Sequence, residues 1–273
     1  MKLKRIINVA FCFDKKFIMQ TCVSITSLLV SAQNRCNYHI YCIVSKDVTS
    51  DDLECLKEVV RKFSEKSKIT FLYETGQYRK ARIPNNLNSL SEAIYYRFML
   101  PDLVNGVDKI IYIDSDTAIL KDLIEMDNIS LNDNLLSGSL DFMNDDAIWA
   151  KNFHKYCLPL EKNRYVNSGV LIMNLKKMRK DKLPEKWLQL SQKKIKYPDQ
   201  DILNNTCMGK IDIFDSKYNI EIFSKIKMNI NAKKIKDAVI LHYIYPKPWM
   251  KKTILGGLWW KYAKMTKFYN HLL

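Results

Sequence analysis

Residues 107–123 read VDKIIYIDSDTAILKDL, an apolar run that ends on Asp114 and Asp116 with Ser115 between them. Two carboxylates this close resist joint ionisation unless a cation sits between them. A divalent metal meets that need. Oxygen ligands select Mg²⁺ or Mn²⁺, and an added imidazole tilts the choice to Mn²⁺. Such an ion can hold a diphosphate and neutralise the charge that grows as it leaves. A D-x-D triplet alone is a weak signal: DQD at 199–201 has the same form, and solvated acids in a strand-end turn are the plain alternative. The apolar strand before the triplet and the apolar residues after it favour the metal. His242, at the end of the run AVIL, offers an imidazole in a comparable position, with a hydrogen-bonded core histidine as its alternative.

Elements that would position these groups can be read along the chain. The strand-like run RIINVAFCF is followed by FIMQTCVSITSLLVSAQ, whose apolar residues return at helical spacing. YHIYCIV precedes TSDDLECLKEVVRKFSEK, where Thr49 or Ser50 can cap and Asp51, Asp52 and Glu54 suit the positive helix start. KITFLYE, a polar loop to about Ser89, the predicted helix SLSEAIYYRFMLPDLV and the strand KIIYID come next, with later strands at LLSGSL, SGVLIMN and AVILHY. This alternation points to βαβ units and a mostly parallel sheet flanked by helices. Ligands of open α/β sheets bind beyond the carboxyl ends of the strands. Asp14, Asp114, Asp116, Asp141 and His242 all follow such runs.

The totals bound the reading further. A chain of 273 residues, 47% hydrophobic and 27% charged, is long enough for one soluble domain with an appendage. The start MKLKRIINVAFCFDKKF imitates a signal peptide, but Asp14, Lys15 and Lys16 interrupt it, so a first β-strand is the expectation. No run is long and apolar enough to span a bilayer. The seven cysteines (12, 22, 36, 42, 55, 157 and 207) include no CxxC pair, as expected of buried reduced thiols in a cytoplasmic protein. Net charge is +15, and from Lys217 onward twelve lysines face only Glu221 and Asp237, a surplus of +10. A basic end calls for an anionic partner: nucleic acid, phospholipid or a phosphorylated substrate. The expected organisation is an α/β domain over 1–249 and a basic, aromatic tail over 250–273.

The run YRFMLPDLV..VDKIIYIDSDTAILKDL resembles the core signature of family-8 glycosyltransferases, retaining enzymes of the GT-A fold, a Rossmann-like mixed, mostly parallel sheet. NVAFCFDKKF, YVNSGVLIMNLKKMR, YPDQDILN and LHYIYPKPW follow the same pattern in order, over about residues 5 to 250. The resemblance implies that Asp114 and Asp116 hold Mn²⁺ and the donor diphosphate, with Ser115 on the donor side, and that His242 is the third metal ligand. It implies that Lys247 meets the donor phosphates and that Ala10, Cys12 and Asp14 hold uracil and ribose. Lys247 alone also reads as a surface lysine, and Asp14 equally as a helix cap. Arg97 would reach the donor sugar and phosphates, and Asn167, Asp199 and Gln200 would line the sugar pocket, Gln200 beneath the anomeric carbon. "DQDILNN" also reads as a capped helix start, which is compatible with sugar contact.

The implied reaction moves a hexose, galactose or glucose, from a UDP-sugar to a glycan or glycolipid acceptor of the lipopolysaccharide or lipooligosaccharide kind. Its transition state is oxocarbenium-like, and charge on the departing nucleotide is the main target for stabilisation. Glutamine is a poor nucleophile, so front-face attack by the acceptor is favoured, although the residues leave an Asp199 nucleophile open. The chain departs from the pattern at Tyr245, where glycine is common, at Lys16, and in the loop RKARIPNNLNSLS.

In the tail, Lys261, Lys264, Lys267 and His271 share one helical face, with Trp259, Trp260, Tyr262, Ala263, Met265, Phe268 and Leu272 over much of the rest. Such faces suit an anionic membrane surface on the cytoplasmic side; a terminal helix packing its tryptophans on the domain is the other reading. A sugar nucleotidyltransferase would want a glycine-rich loop after the first strand, and FCFDKKF has none. A nucleic-acid-binding module would want a recognition motif beside its charge, and none is present, so no nucleic-acid partner is expected.

Overall fold

A computed structural model of the chain describes residues 5–84, 91–145, 148–149, 158–223 and 232–269. The elements run β1 (Ile6–Phe13), α1 (Ile18–Ser31), β2 (Asn37–Val44), α2 (Ser50–Phe63), β3 (Lys68–Tyr73), a 3₁₀ segment (Glu92–Met99) continuing into α3 (Leu100–Leu103), β4 (Lys109–Ile113) and β5 (Thr117–Ile119). They continue with α4 (Ile124–Asp127), β6 (Leu136–Leu140), β7 (Val166–Asn174), α5 (Leu175–Lys180), α6 (Leu183–Ser191), α7 (Pro198–Thr206), β8 (Ile211–Ile213), β9 (Ile220–Phe223), α8 (Ala232–Asp237), β10 (Ile240–Tyr245) and α9 (Gly256–Ala263).

Seven strands form the main sheet in the order β3-β2-β1-β4-β7-β6-β8. The pairs among β3, β2, β1 and β4, and the pair β6–β8, are parallel; β7 runs antiparallel to both neighbours. Side-chain alternation divides the core between two faces. Val9, Phe11 and Phe13 pack with α1 and α2, whereas Ala10 and Cys12 pack with Tyr95, Tyr96 and Phe98 of the 3₁₀ segment. Both faces are covered, which explains why these strands read as continuous apolar runs.

A second sheet, in the order β5-β10-β9, stands beside the first. Its strands β5 and β9 were not expected from the sequence: at three and four residues they are too short for period-two alternation to register. The run AVILHY is in this smaller sheet, and His242 lies inside β10 rather than at a strand end, because β10 continues beyond it alongside β9 and Asp116.

The segment expected as one helix through SEAIYYRFMLPDLV is 3₁₀ over Glu92–Met99 and α-helical only over Leu100–Leu103. Ser91 caps it through Ala93 N–H, and the Arg97 guanidinium takes the Ile94 carbonyl at 3.1 Å. Residues 85–90 of the preceding loop lie outside the described residues.

Most of α1 is buried all round, and its polar side chains form a ladder with the stretch through β5. Thr21 Oγ1 and Ser115 Oγ lie 2.7 Å apart, as do Ser24 Oγ and Thr117 Oγ1. Ile119 N–H donates to Ser27 Oγ at 2.8 Å, and Ser31 Oγ donates to the Lys121 carbonyl at 3.3 Å. Thr21 itself donates to the Phe17 carbonyl and Thr117 to the Asp114 carbonyl, so Ser115 and Ser24 are the donors within their pairs.

Candidate active site

β4 ends against β7: Asp114 N–H donates to the Gly169 carbonyl at 2.7 Å. The chain then turns through Ser115 and Asp116 into β5, where Thr117 is the register partner of His242 in antiparallel β10. Tyr243 N–H donates to the Asp116 carbonyl at 3.0 Å. Short backbone ladders thus bring the histidine to the two aspartates across more than a hundred residues of chain. One ligand atom from each of Asp114, Asp116 and His242 lies within 4.8 Å of the other two. His242 Nε2 is 3.2 Å from Asp116 Oδ1 and 3.8 Å from Asp114 Oδ2.

Each carboxylate has a different cation. Lys247 Nζ pairs with Asp116 Oδ2 and also donates to the Tyr243 carbonyl at 2.7 Å. Arg97, 4% exposed, reaches Asp114 Oδ1 at 3.0 Å, Asp199 Oδ2 at 3.2 Å and the Ser168 carbonyl at 2.6 Å. Its guanidinium stacks 4.5 Å from the Tyr112 ring centre, and Tyr112 donates its hydroxyl to Asp114. Burial pushes the Asp114 carboxyl upward against the pull of Arg97, and the neighbouring Asp116 adds to the rise. Burial acts the same way on Asp116, but the Lys247 ammonium beside it holds that carboxyl well below the usual carboxylate range.

The fit of a dication rests on two features. Asp116 Oδ1 is buried and accepts no hydrogen bond from any described residue. An unpaired buried carboxylate oxygen facing an imidazole nitrogen is costly without a cation. Gly169 makes room for the imidazole: a Cβ there would lie 2.1 Å from His242 Cε1 and 2.8 Å from Asp114 Oδ2. The donor set, two carboxylates and one imidazole, fits Mn²⁺ or Mg²⁺, and the nitrogen favours Mn²⁺.

A cleft of about 290 Å³ is lined by this cluster together with Cys12, Phe13, Asp14, Asn167, Asp199 and Gln200. Asp14 uses Oδ1 to cap the turn Lys15–Phe17 through Lys16 N–H at 3.0 Å, so the capping role is present while the residue also lines the cleft. Ala10 is fully buried and is not among the lining residues; Cys12 lines the cleft, and burial holds its thiol well above the usual range. The hydroxyl of Ser115 is turned to Thr21. Gln200 is held at both ends, its Oε1 by Ser168 N–H at 3.0 Å and its Nε2 by Asp141 Oδ2 at 3.0 Å. Asp199 Oδ2 accepts from Ser168 Oγ at 2.9 Å as well as from Arg97.

Sequence reasoning marks Asp141 only as a strand-end carboxylate. In the fold it is a hub, accepting from Met143 N–H at 2.7 Å and Asn167 Nδ2 at 2.9 Å in addition to Gln200. Burial raises its carboxyl and these donors oppose the rise. Gly169 and Asn219 were missed altogether. The glycine within YVNSGV was the available signal for a close approach; the asparagine in KYN carried none.

In the tail, α9 stops at Ala263, where Thr266 takes the Ala263 carbonyl through both its N–H and its hydroxyl. Trp259, Tyr262 and Ala263 are buried against Ala118, Leu241 and Tyr243 of the second sheet, so these aromatics pack on the domain. Lys261, Lys264 and Lys267 remain exposed, Lys267 paired with Glu58 at 3.1 Å; His271 and Leu272 lie outside the described residues. Among the described residues no helix is long and apolar enough to cross a membrane, and six cysteines are buried and free; Cys157 lies outside them.

The mixed sheet with its companion three-stranded sheet and strand-end acidic cluster is that of the GT-A class. Superposition agrees: the galactosyltransferase LgtC, solved with donor and acceptor sugar analogs, covers 98% of this chain and 100% of its own at a TM-score of 0.80 and 20% identity. The model of Glycosyl transferase family 8 matches residues 8–253, and the chain belongs to that family. Its curated relatives include a lipopolysaccharide 1,2-glucosyltransferase of Escherichia coli, 28% identical over 96% of this chain and 77% of the relative. Another is the lipopolysaccharide glucosyltransferase WaaO of Escherichia coli K12, 27% identical over 89% and 72%. The chain is therefore a glycosyltransferase.

Proposed function

We propose that this chain moves a hexose, galactose or glucose, from a UDP-sugar to a hydroxyl of a glycan or glycolipid, with retention at the anomeric carbon. Mn²⁺ or Mg²⁺ would be held by Asp114, Asp116 and His242. One observation carries the proposal: the buried Asp116 Oδ1, which accepts no hydrogen bond from any described residue, faces His242 Nε2 at 3.2 Å in a cleft that Gln200 also lines. When bound, the ion supplies Lewis-acid neutralisation of charge growing on the leaving diphosphate. Lys247, already drawn to Asp116, adds positive charge on the same side. Arg97 acts mainly by fixing Asp114 and Asp199 relative to one another, since its guanidinium bridges both.

On the sugar side, Gln200 presents a carboxamide tied at both ends, a fixed dipole and a poor nucleophile. That supports front-face attack, in which the acceptor hydroxyl enters on the side the nucleotide leaves. Asp199 contributes negative charge near the developing oxocarbenium ion. The names of the curated relatives support an acceptor of the lipopolysaccharide or lipooligosaccharide kind. Exposed Lys251, Lys252, Lys261 and Lys264, beside Met250 at 69% exposure, support a peripheral contact with an anionic membrane from the cytoplasmic side.

The test is a screen of UDP-sugars for UDP release with and without Mn²⁺. Slow, Mn²⁺-dependent hydrolysis of UDP-galactose or UDP-glucose is expected. Failure on every UDP-sugar, with pyrophosphate exchange on UTP instead, would overturn the reading.

A further inference from the structure

Asn219 sits between the short turn Ser216–Tyr218 and β9, 2% exposed, outside the lining of the cleft. Its Oδ1 lies 3.1 Å from His242 Nδ1, and its Nδ2 lies 2.9 Å from Asn167 Oδ1. The polarity of this contact is fixed from outside the pair. A backbone N–H can only donate, and that of Gly169 reaches Asn167 Oδ1 at 2.9 Å. The Asn167 oxygen is therefore an acceptor, and its Nδ2 donates to Asp141 Oδ2 at 2.9 Å. Asn219 must then turn its own Nδ2 to Asn167, because the reverse orientation would set two amide oxygens against each other. That leaves Asn219 Oδ1 facing the imidazole as an acceptor, so Nδ1 carries the proton. A neutral imidazole has one N–H. In that neutral form Nε2 is a bare lone pair, 3.2 Å from Asp116 Oδ1 and 3.8 Å from Asp114 Oδ2.

We propose that Asn219 is a positioning residue that holds His242 in its Nδ1–H tautomer and so prepares Nε2 to bind a divalent cation. The inference rests on the metal site proposed above. An outer-shell partner of this kind fixes both the tautomer and the ring plane of a ligating histidine. The relay extends past the metal cluster: Asp141 Oδ2, which receives Asn167, also receives Gln200 Nε2 at 3.0 Å. His242, Asn219, Asn167, Asp141 and Gln200 thus form one hydrogen-bonded chain from the cation side of the cleft to its sugar side.

The experiment reads the tautomer and the metal separately. Long-range ¹H–¹⁵N spectra of the metal-free, full-length protein are recorded at a pH where imidazole is neutral, with His242→Gln used to assign the ring. Mn²⁺ affinity is read from the paramagnetic resonance signal of free Mn²⁺. Wild type should show Nδ1–H. Asn219→Ala should shift His242 toward Nε2–H and weaken Mn²⁺ binding about 10–100-fold. Asn219→Asp still offers Nδ1 an acceptor, although its second oxygen meets Asn167 Oδ1 in place of the amide donor, so it should keep the Nδ1–H form while restoring only part of the affinity, which a general packing defect would not allow. An Asn219→Ala protein that keeps the Nδ1–H tautomer, or binds Mn²⁺ as wild type does, overturns the proposal. If wild type binds Mn²⁺ no better than Asp116→Ala, the metal site itself is wrong, while the tautomer spectra still decide what Asn219 does.

Discussion

A single missing methyl group lets the candidate centre form. His242 packs where the Cβ of residue 169 would be, so Gly169→Ala must displace the imidazole, Asp114 or both. Mn²⁺ titration of this variant should show affinity lowered at least about tenfold. Affinity equal to wild type would mean that the ring has room to move without leaving its ligand position. Asp116→Ala removes one proposed metal ligand and the partner of Lys247 together; turnover should fall about 100-fold or more while circular dichroism stays native. Asp201 makes a different prediction. Burial raises its carboxyl to about 7 from an ordinary 3.8, against the opposing hydrogen bonds from Tyr165 and Tyr197. The folded chain therefore holds a proton that the unfolded chain has lost, and this group's contribution to stability falls as pH rises between those values. Urea midpoints of Asp201→Asn should be flatter across that window than those of wild type; identical slopes would show the carboxyl ionised throughout.

At the level of elements, the hydroxyl ladder between α1 and β5 joins the backbone bonds to Gly169 and Tyr243 in holding the Asp114–Asp116 turn to the body of the fold. Thr21→Val keeps the shape but removes the acceptor for Ser115, which should cost about 1–3 kcal/mol in denaturant unfolding. Adding Ser115→Ala should restore part of the loss, and a strictly additive double mutant would show the two hydroxyls to be independent. This ladder was not legible in the sequence, because an apolar 3.6-residue period treats serine and threonine at 21, 24, 27 and 31 as neutral filler. The long strands β1, β2, β4 and β7 were legible as unbroken apolar runs, and Asp14, Asp114, Asp116 and Asp141 followed as strand-end acids. Their partners were harder. The antiparallel direction of β7, the three residues of β5 and the register that sets His242 opposite Thr117 are all products of long-range pairing. His242 entered through its place after the run AVIL together with its motif, and Asn219 had no local pattern at all.

For the whole molecule, the proposed donor site, with residues between β4 and β5 and on β7, β10 and α7, should couple ligand binding to global stability. At a hundredfold excess over Kd, Mn²⁺ with UDP should add about 2.7 kcal/mol and raise the melting temperature by several degrees. UDP with a chelator should give a much smaller rise, and equal shifts in both would argue against a shared site. The exposed lysines make a separate prediction. Deleting the tail would also remove Trp259 from the core, so charge reversal is the cleaner variant. Lys251, Lys252, Lys261 and Lys264→Glu together should abolish flotation on anionic vesicles, each lysine being worth about 1 kcal/mol near such a surface. Unchanged flotation would place any membrane contact elsewhere.

The pairing of β10 with β5 also sets a timetable. All seven strands of the large sheet precede β10 in chain order, so a nascent polypeptide can complete that sheet while the imidazole is still inside the ribosome. Until that strand emerges and docks, His242 is absent from the cluster with Asp114 and Asp116, and the proposed metal site is incomplete.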